Sequence, residues 1–294
     1  MTETTFSLVL ATVGRQDDVR NFLLSLREQV YRHFEVIIVD QNLDSRLDPV
    51  VAEFENNITI RHIRSHERGL SRARNIGLKY IQGDVVAFPD DDCSYPARLL
   101  LDVATTLSQH PEYDGITGRV ADLTGKDASG RFKKKSGEIK SYNFDRRCTS
   151  ASIFLRRPVV KSVGNFDETL GLGSGTVYQA GEDGDYILRC IAKRFRIHYD
   201  PRIVIIHPQI SFKLNRSMLA KYYRYALAWG RVRRKHRIPW WNVLWHICRP
   251  LGGALVSIAM LRWGKACGHF VVFGGRCIGW IRKKDDAVCG RTIR

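Results

Sequence analysis

Between Pro201 and Lys284 the chain has no aspartate and no glutamate, although 17 lysines and arginines fall there. The other 30 basic residues match the 30 acidic residues of the whole chain, so the net charge of +17 belongs to the C-terminal third. This boundary in charge predicts a division of role, with residues 1–210 as one domain and 211–294 as a basic appendage. Other features are missing as well. There is no CxxC, and the seven cysteines are odd in number and lack framework spacing, which argues against a disulfide scaffold and for a reducing compartment. No GxGxxG follows the first apolar run, which disfavours a dinucleotide site. The run Leu251 to Leu261 is apolar or small throughout but far short of the roughly 20 residues a spanning helix needs. The opening, MTETTFSLVLATVGR, carries Glu3 and no basic stretch before a strand-length apolar run, so no signal peptide is expected. An apolar fraction of 44% leaves room for a sizeable core.

What is present is alternation. Phe6–Thr12, Phe34–Val39 and Ile58–Ile63 read as strands. Between and after them come helical patterns: Val19, Phe22, Leu23 and Leu26 on one face, a segment near Pro49–Phe54, and Gly69–Tyr80. Leu99–Leu107 predicts another helix. Tyr113–Ala121, Ser150–Leu155, Arg196–Tyr199 and Ile203–His207 predict further strands. Strand–helix alternation over about 100 residues marks a parallel α/β sheet, whose ligands bind at the carboxyl ends of its strands. Thr12, Asp40 and Asp90–Asp92 all fall at such ends.

The stretch Asp84–Pro96, DVVAFPDDDCSYP, ends an apolar run in three consecutive carboxylates. Like charges this close repel and call for compensation, which a divalent cation carrying a diphosphate would supply. The alternative is a solvated acidic turn ahead of the helix that Pro96 starts. Cys93 reads as a small filler, because neighbouring carboxylates suppress its thiolate. Basic residues around Arg131–Lys140 read as solvated surface rather than an acceptor-facing flap. Gly164–Gly181, with Gly171, Gly173 and Gly175, reads as a mobile loop able to close over substrate. Glu182, Asp183 and Asp185 then open a helix. Ordinary helix capping explains any one of them, but less well a Glu-Asp pair after a glycine loop.

Six segments in order (SLVLATVGR, VIIVDQN, GLSRARNIGLKY, VVAFPDDDCSYP, VGNFDETLG and GEDGDYILRC) resemble the family 2 glycosyltransferases of GT-A fold, over about residues 5–210. The resemblance implies a mixed, mainly parallel Rossmann-like α/β sheet flanked by helices. It implies inverting transfer from a nucleotide-diphosphate sugar, a UDP-sugar first among candidates, with Mg²⁺ or Mn²⁺ on the leaving diphosphate. Carried over by motif, Asp92 is the metal ligand, with Asp90 and Asp91 supporting nucleotide-sugar binding. Thr12, Arg15 and Asp40 hold the nucleoside. Family members often carry a second acid after Asp40 that touches the base; this chain has Gln41, assigned to nucleotide-sugar binding because its oxygen can still accept from a base N–H, and the departure leaves the identity of the base open. Of Arg72 and Arg74, two apart, only one faces the site, and Arg74 is assigned to phosphate. An attacking hydroxyl must lose a proton opposite the leaving group. The resemblance gives that role to Asp183, oriented by Glu182, with Asp185 a weaker candidate. It places His207 near the diphosphate or metal.

The C-terminal third mixes aromatics with cations. Ser217–His236 predicts a helix with Tyr222, Tyr223, Tyr225 and Trp229, followed by Trp240, Trp241 and Trp245, then Leu251–Leu261, Phe270–Phe273 and Arg276–Lys284. Such a segment reads as an interfacial or re-entrant, membrane-associating helical region drawn to anionic lipid, at about 1 kcal/mol per nearby Lys or Arg. A basic cap on the catalytic domain is the plainer alternative. Nucleic acid would explain the charge but not the tryptophans, so none is expected as partner. The QxxRW sequence of processive polysaccharide synthases is absent. The expectation is a transferase on the cytoplasmic face of the inner membrane that acts on a lipid-linked or membrane-proximal glycan in cell-surface polysaccharide synthesis. Direct transfer to a polyprenyl phosphate is the runner-up. A basic nucleic-acid-binding or scaffold protein with an inactive α/β domain is the reading from a different class.

Overall fold

Val, Ile, Leu and Phe crowd together in the first hundred residues, and there the chain forms strands: β1 Phe6–Thr12, β2 Phe34–Asp40, β3 Thr59–Arg64 and β4 Val85–Ala87. The structure is a computed structural model, and it describes residues 3–128, 130–209 and 215–282. β1 and β2 run parallel in unbroken register from the Phe6–Phe34 pair to the Thr12–Asp40 pair, and β3 continues parallel beyond β2. β4 lies parallel on the other side of β1. Helices α1 Asp17–Arg27, α2 Asp48–Phe54, α3 Leu70–Leu78 and α4 Leu99–Gln109 make the connections. α1 buries Val19, Phe22, Leu23 and Leu26, the stripe its spacing predicts. Every residue of β1 is buried, as expected of a parallel strand covered on both faces.

The second half of the sheet is mixed. β5 Gly115–Ala121, β6 Gly137–Glu138, β7 Ile153–Arg156 and β8 Ile197–Ile206 complete an eight-stranded sheet in the order β3-β2-β1-β4-β7-β5-β8-β6. β7 is antiparallel to β4 and β5, β6 is antiparallel to β8, and β8 is parallel to β5. Three expectations change here. Ser150–Ser152 form a 3₁₀ turn, so β7 begins only at Ile153. The two closing strands expected at Arg196–Tyr199 and Ile203–His207 are one strand. Thr117 pairs with Tyr199 but Arg119 pairs with Val204, so a bulge absorbs the extra residues. Gly118 permits it, since a Cβ there would strike the Ile203 carbonyl. The basic loop also contributes β6, which no periodicity in the sequence announces.

The chain divides into two compact units: Met1–Phe166 with Tyr186–Ile210, and Asp167–Asp185 with Ser211–Arg294. The first carries the sheet and α5 Arg157–Val163; the chain passes between units within α6 Glu182–Ala192. The second holds the glycine-rich segment and helices α7 Arg216–Lys235, α8 Trp240–Ala259 and α9 Trp263–Ile281. Asn215 caps α7 by accepting the Met218 N–H at 2.8 Å. α7 and α9 approach so closely that a Cβ on Gly279 would run into the Leu227 carbonyl. Among the described residues no helix is long and apolar enough to cross a membrane. Arg249 interrupts α8, and Lys265 and Arg276 interrupt α9. Lys283 and Lys284 of the expected basic segment lie outside the described residues.

Candidate active site

The level ends of β1 and β2 and the loop after β4 build one rim in the first unit. β4 stops at Ala87, Phe88 is buried, and Asp90–Asp92 follow. This acidic loop is pinned from behind by Gln29, just past α1. The Gln29 amide donates to the carbonyls of Tyr95 at 3.0 Å and Pro96 at 2.9 Å, and its oxygen accepts the Leu100 N–H at 3.3 Å. Ser94 and Ile206 exchange backbone hydrogen bonds at 2.8 and 3.0 Å, which brings His207, the residue after β8, to Asp92.

The three carboxylates find their compensation within the chain. Arg74 donates to Asp90 at 3.1 Å, and the Ser150 hydroxyl adds a bond at 3.2 Å. Thr12 Oγ1 donates to Asp91 at 2.7 Å. Arg15 Nη1 lies 3.1 Å from Asp91 Oδ1 and 2.6 Å from Asp92 Oδ2, and His207 Nε2 lies 3.1 Å from Asp92 Oδ1. Two arginines and a histidine thus stand against the trio, beside the divalent cation that the sequence leads one to expect. The three acids differ in consequence. Desolvation raises Asp90, only partly offset by Arg74. About a third of the Asp90 side chain is exposed (31%), so this penalty comes from the crowded rim rather than from full enclosure. Desolvation likewise pushes Asp91 up to about 6, against the Thr12 hydroxyl and Arg15. Desolvation opposes the charge on Asp92 too, but His207 and Arg15 outweigh it and hold that carboxyl far below the usual range. Its bond to Asp92 raises His207. The Cys93 thiol is pushed well up by burial first and Asp90 second, which suits a filler and not a nucleophile.

Asp40 is fully buried, accepting from the Asn42 backbone at 2.8 Å, the Asn42 amide at 2.7 Å and lying 3.0 Å from His62 Nε2. Gln41 Oε1 accepts the Gly69 N–H at 2.7 Å, so the oxygen that would read a base N–H is engaged by the start of α3. Arg74 is fully buried, with its guanidinium 5.4 Å from the Phe166 ring centroid. It backs Asp90 rather than standing forward to meet a phosphate. Arg72 instead donates to the Arg68 carbonyl at 3.1 Å. Sequence reasoning missed Ser150, His62 and Asn42. Asn42 also accepts the Gly14 N–H at 2.6 Å and so ties the β1 loop to the β2 loop. Its place beside Asp40 and Gln41 was the available signal; Ser150 and His62 had none, because each reaches the rim from a distant strand or turn.

In the second unit, the first turn of α6 presents Glu182, buried, and Asp183, half-buried, whose Oδ1 accepts the Gly184 N–H at 2.7 Å. Asp185 is fully buried and bonded to Lys235 Nζ at 2.6 Å and His236 Nε2 at 2.7 Å. That enclosure removes it as an alternative base. The same Lys235 ammonium bonds Asp167 at 2.6 Å, so both ends of the glycine-rich segment are gathered on one cation of α7. The segment also holds itself: Thr176 Oγ1 donates to the Thr169 carbonyl at 2.7 Å and Gln179 Nε2 to the Thr176 carbonyl at 2.6 Å.

With this geometry in place, comparison with known proteins is informative. The model of the family described as glycosyl transferase family 2 matches residues 7–162, just over half of the chain. The chain belongs to glycosyltransferase family 2. Among curated relatives, the pre-mycofactocin glycosyltransferase of Mycobacterium tuberculosis (strain H37Rv) is 28% identical over 205 residues, covering 64% of this chain and 41% of the relative. The poly(ribitol-phosphate) beta-N-acetylglucosaminyltransferase TarS of Staphylococcus aureus (strain Mu50) is 24% identical over 143 residues, 47% of this chain and 25% of its own. The chain thus spans well under half the length of these relatives. Among solved structures, a mannosyltransferase from Pyrobaculum calidifontis, in complex with GDP-Man and Mn²⁺, superimposes with a TM-score of 0.67 at 15% identity, covering 96% of this chain and 89% of that one. S. aureus TarS does so at 0.62 and 17%, covering 93% and 55%. These likenesses establish the GT-A fold for this family 2 glycosyltransferase.

Proposed function

We propose that this family 2 enzyme transfers a sugar, with inversion, from a nucleotide-diphosphate sugar to a lipid-linked or membrane-proximal glycan acceptor at an anionic, cytoplasmic membrane surface. One observation carries the reading: the aspartate trio stands where β1, β2 and β4 end, with Asp92 shared between His207 and a part-exposed Arg15. Among the described residues no group of three or more His, Cys, Asp or Glu side chains forms a ready-made metal cage. A Mg²⁺ or Mn²⁺ ion carrying a diphosphate needs only one or two protein donors, because phosphate oxygens and water complete its shell. Asp92 and His207 offer a carboxylate and an imidazole at one point and fit that need. When bound, the ion supplies positive charge to the departing diphosphate.

In this reading Thr12, Asp40 and Gln41 bound the nucleoside pocket, Arg15 and Asp91 meet the diphosphate and sugar, and Arg74 keeps Asp90 in place. Asp183 takes the proton of the attacking hydroxyl and Glu182 supports it. Support for a nucleotide-sugar donor comes from the neighbouring structures solved with UDP, UDP-GlcNAc and GDP-Man. Support for a lipid-linked acceptor comes from a relative named glucosyl-dolichyl phosphate glucuronosyltransferase, 25% identical over 60% of this chain. Direct transfer to a polyprenyl phosphate is the second reading. Support for the membrane surface comes from Trp240, Trp241, Trp245 and Trp263, all exposed, on helices that carry no acidic residue.

The test is the full chain incubated with a lipid extract, Mn²⁺ and a panel of nucleotide sugars, with products read by mass spectrometry. A sugar added to a lipid-linked saccharide is the expected product, abolished by EDTA and by Asp183→Asn. A polyprenyl-monophosphate sugar as sole product would select the second reading. Full turnover in excess EDTA, or in Asp183→Asn, would overturn the assigned roles.

A further inference from the structure

Arg15 sits on the carboxylates that a metal ion would use. Its Nη1 is 2.6 Å from Asp92 and 3.1 Å from Asp91, with Asp18 a third carboxylate 3.5 Å away. His207 Nε2 lies 3.1 Å from the other Asp92 oxygen, so Arg15 holds the side of the carboxylate that the histidine leaves. A bare divalent ion approaching Asp92 must displace a guanidinium from a short, charge-assisted bond, and it meets positive charge on arrival. The Arg15 side chain is 38% exposed, so its guanidinium has solvent on one side into which it can swing. A diphosphate alters the balance, because a guanidinium pairs with phosphate as well as it does with carboxylate. Arg74 has no such freedom, being fully enclosed behind Asp90.

We propose that Arg15 is a specificity-determining residue that keeps a bare divalent cation off Asp92 and yields the site to a cation that arrives with a diphosphate. The proposal rests on Asp92 as the metal ligand. It makes metal and nucleotide uptake positively coupled, and it places the origin of the coupling in one side chain: the diphosphate removes Arg15 from the carboxylates, and the metal fills the position left.

The experiment titrates Mn²⁺ into the full chain and reads the free ion by electron paramagnetic resonance, with Mn²⁺ alone and with UDP or GDP added. Wild-type protein is expected to take up Mn²⁺ about 10-fold more tightly with whichever nucleoside diphosphate binds than without it, within the usual range for coupled ligands. Arg15→Gln is expected to bind bare Mn²⁺ about 10-fold more tightly than wild type and to lose most of the coupling. Arg15→Lys, which keeps a cation at this position, rejects the bare ion as wild type does. Asp92→Asn in the Arg15→Gln background removes the uptake and so places the ion. Equal affinity of wild type and Arg15→Gln for bare Mn²⁺ overturns the proposal, as does an Arg15→Lys protein that binds the bare ion as tightly as Arg15→Gln. Uptake that survives Asp92→Asn sinks the assignment of Asp92 itself, an outcome distinct from both.

Discussion

Arg72 and Arg74 stand two positions apart on α3 and do different work. Arg74 is fully buried, paired with Asp90 and stacked near Phe166, whereas Arg72 turns back to the Arg68 carbonyl. Removing one partner of a buried ion pair leaves the other uncompensated, at a cost of about 3 kcal/mol. Because Asp90 keeps some solvent, Arg74→Leu is expected to lower stability by about 2–3 kcal/mol. Urea midpoints for wild type and variant check this; equal midpoints would remove the role of the pair. The sequence could show that one arginine of the pair points inward, because residues two apart diverge on a helix. It could not show which anion Arg74 meets, since Asp90 lies 16 positions on and beyond a separate strand. Arg15 illustrates the same limit. Its closeness to the β1 terminus was legible, but its grip on Asp91 and Asp92 depends on β1 and β4 being neighbours in the sheet.

Elements built on a single period were the most readable. β1, β2 and α1 appear where continuous or helically spaced apolar residues place them. β6, the bulge in β8 and the late start of β7 escape such reading, because each is decided by a partner strand and not by its own residues. The segment 167–185 is similar: its glycines suggest slackness, but Lys235 bonds Asp167 and Asp185 at once. Lys235→Met is expected to raise hydrogen exchange across residues 169–178 severalfold with little change in α3 or α4. Burial alone would raise the Asp167 carboxyl, but Lys235 and Thr169 more than offset it and hold it low. A depressed carboxyl stabilises fully above its unfolded value, near pH 4, and loses that contribution as pH falls through the folded value. Opening of the segment, read as exchange relative to the intrinsic amide rate at each pH, should therefore stay flat from neutrality to about pH 4 and climb below it. A rise already at pH 6 would contradict the clamp.

At the scale of the whole molecule, charge and apolar exposure coincide. The helices that hold the chain's excess of cations also expose Trp240, Trp241 and Trp245. Binding to vesicles containing anionic lipid should weaken as salt shortens the Debye length from about 10 Å at 0.1 M, and weaken further in a Trp241→Ala, Trp245→Ala double variant. Equal partition onto neutral and anionic vesicles would oppose the membrane role. In the sheet-bearing unit, the seven paired positions of β1 and β2 leave Thr12 and Asp40 at one height. Residues inserted after either strand therefore stack above that platform and cannot lift it. Evolution, or an engineer, can rewrite those overhanging segments for a new sugar or a new acceptor without redrawing the ground they stand on.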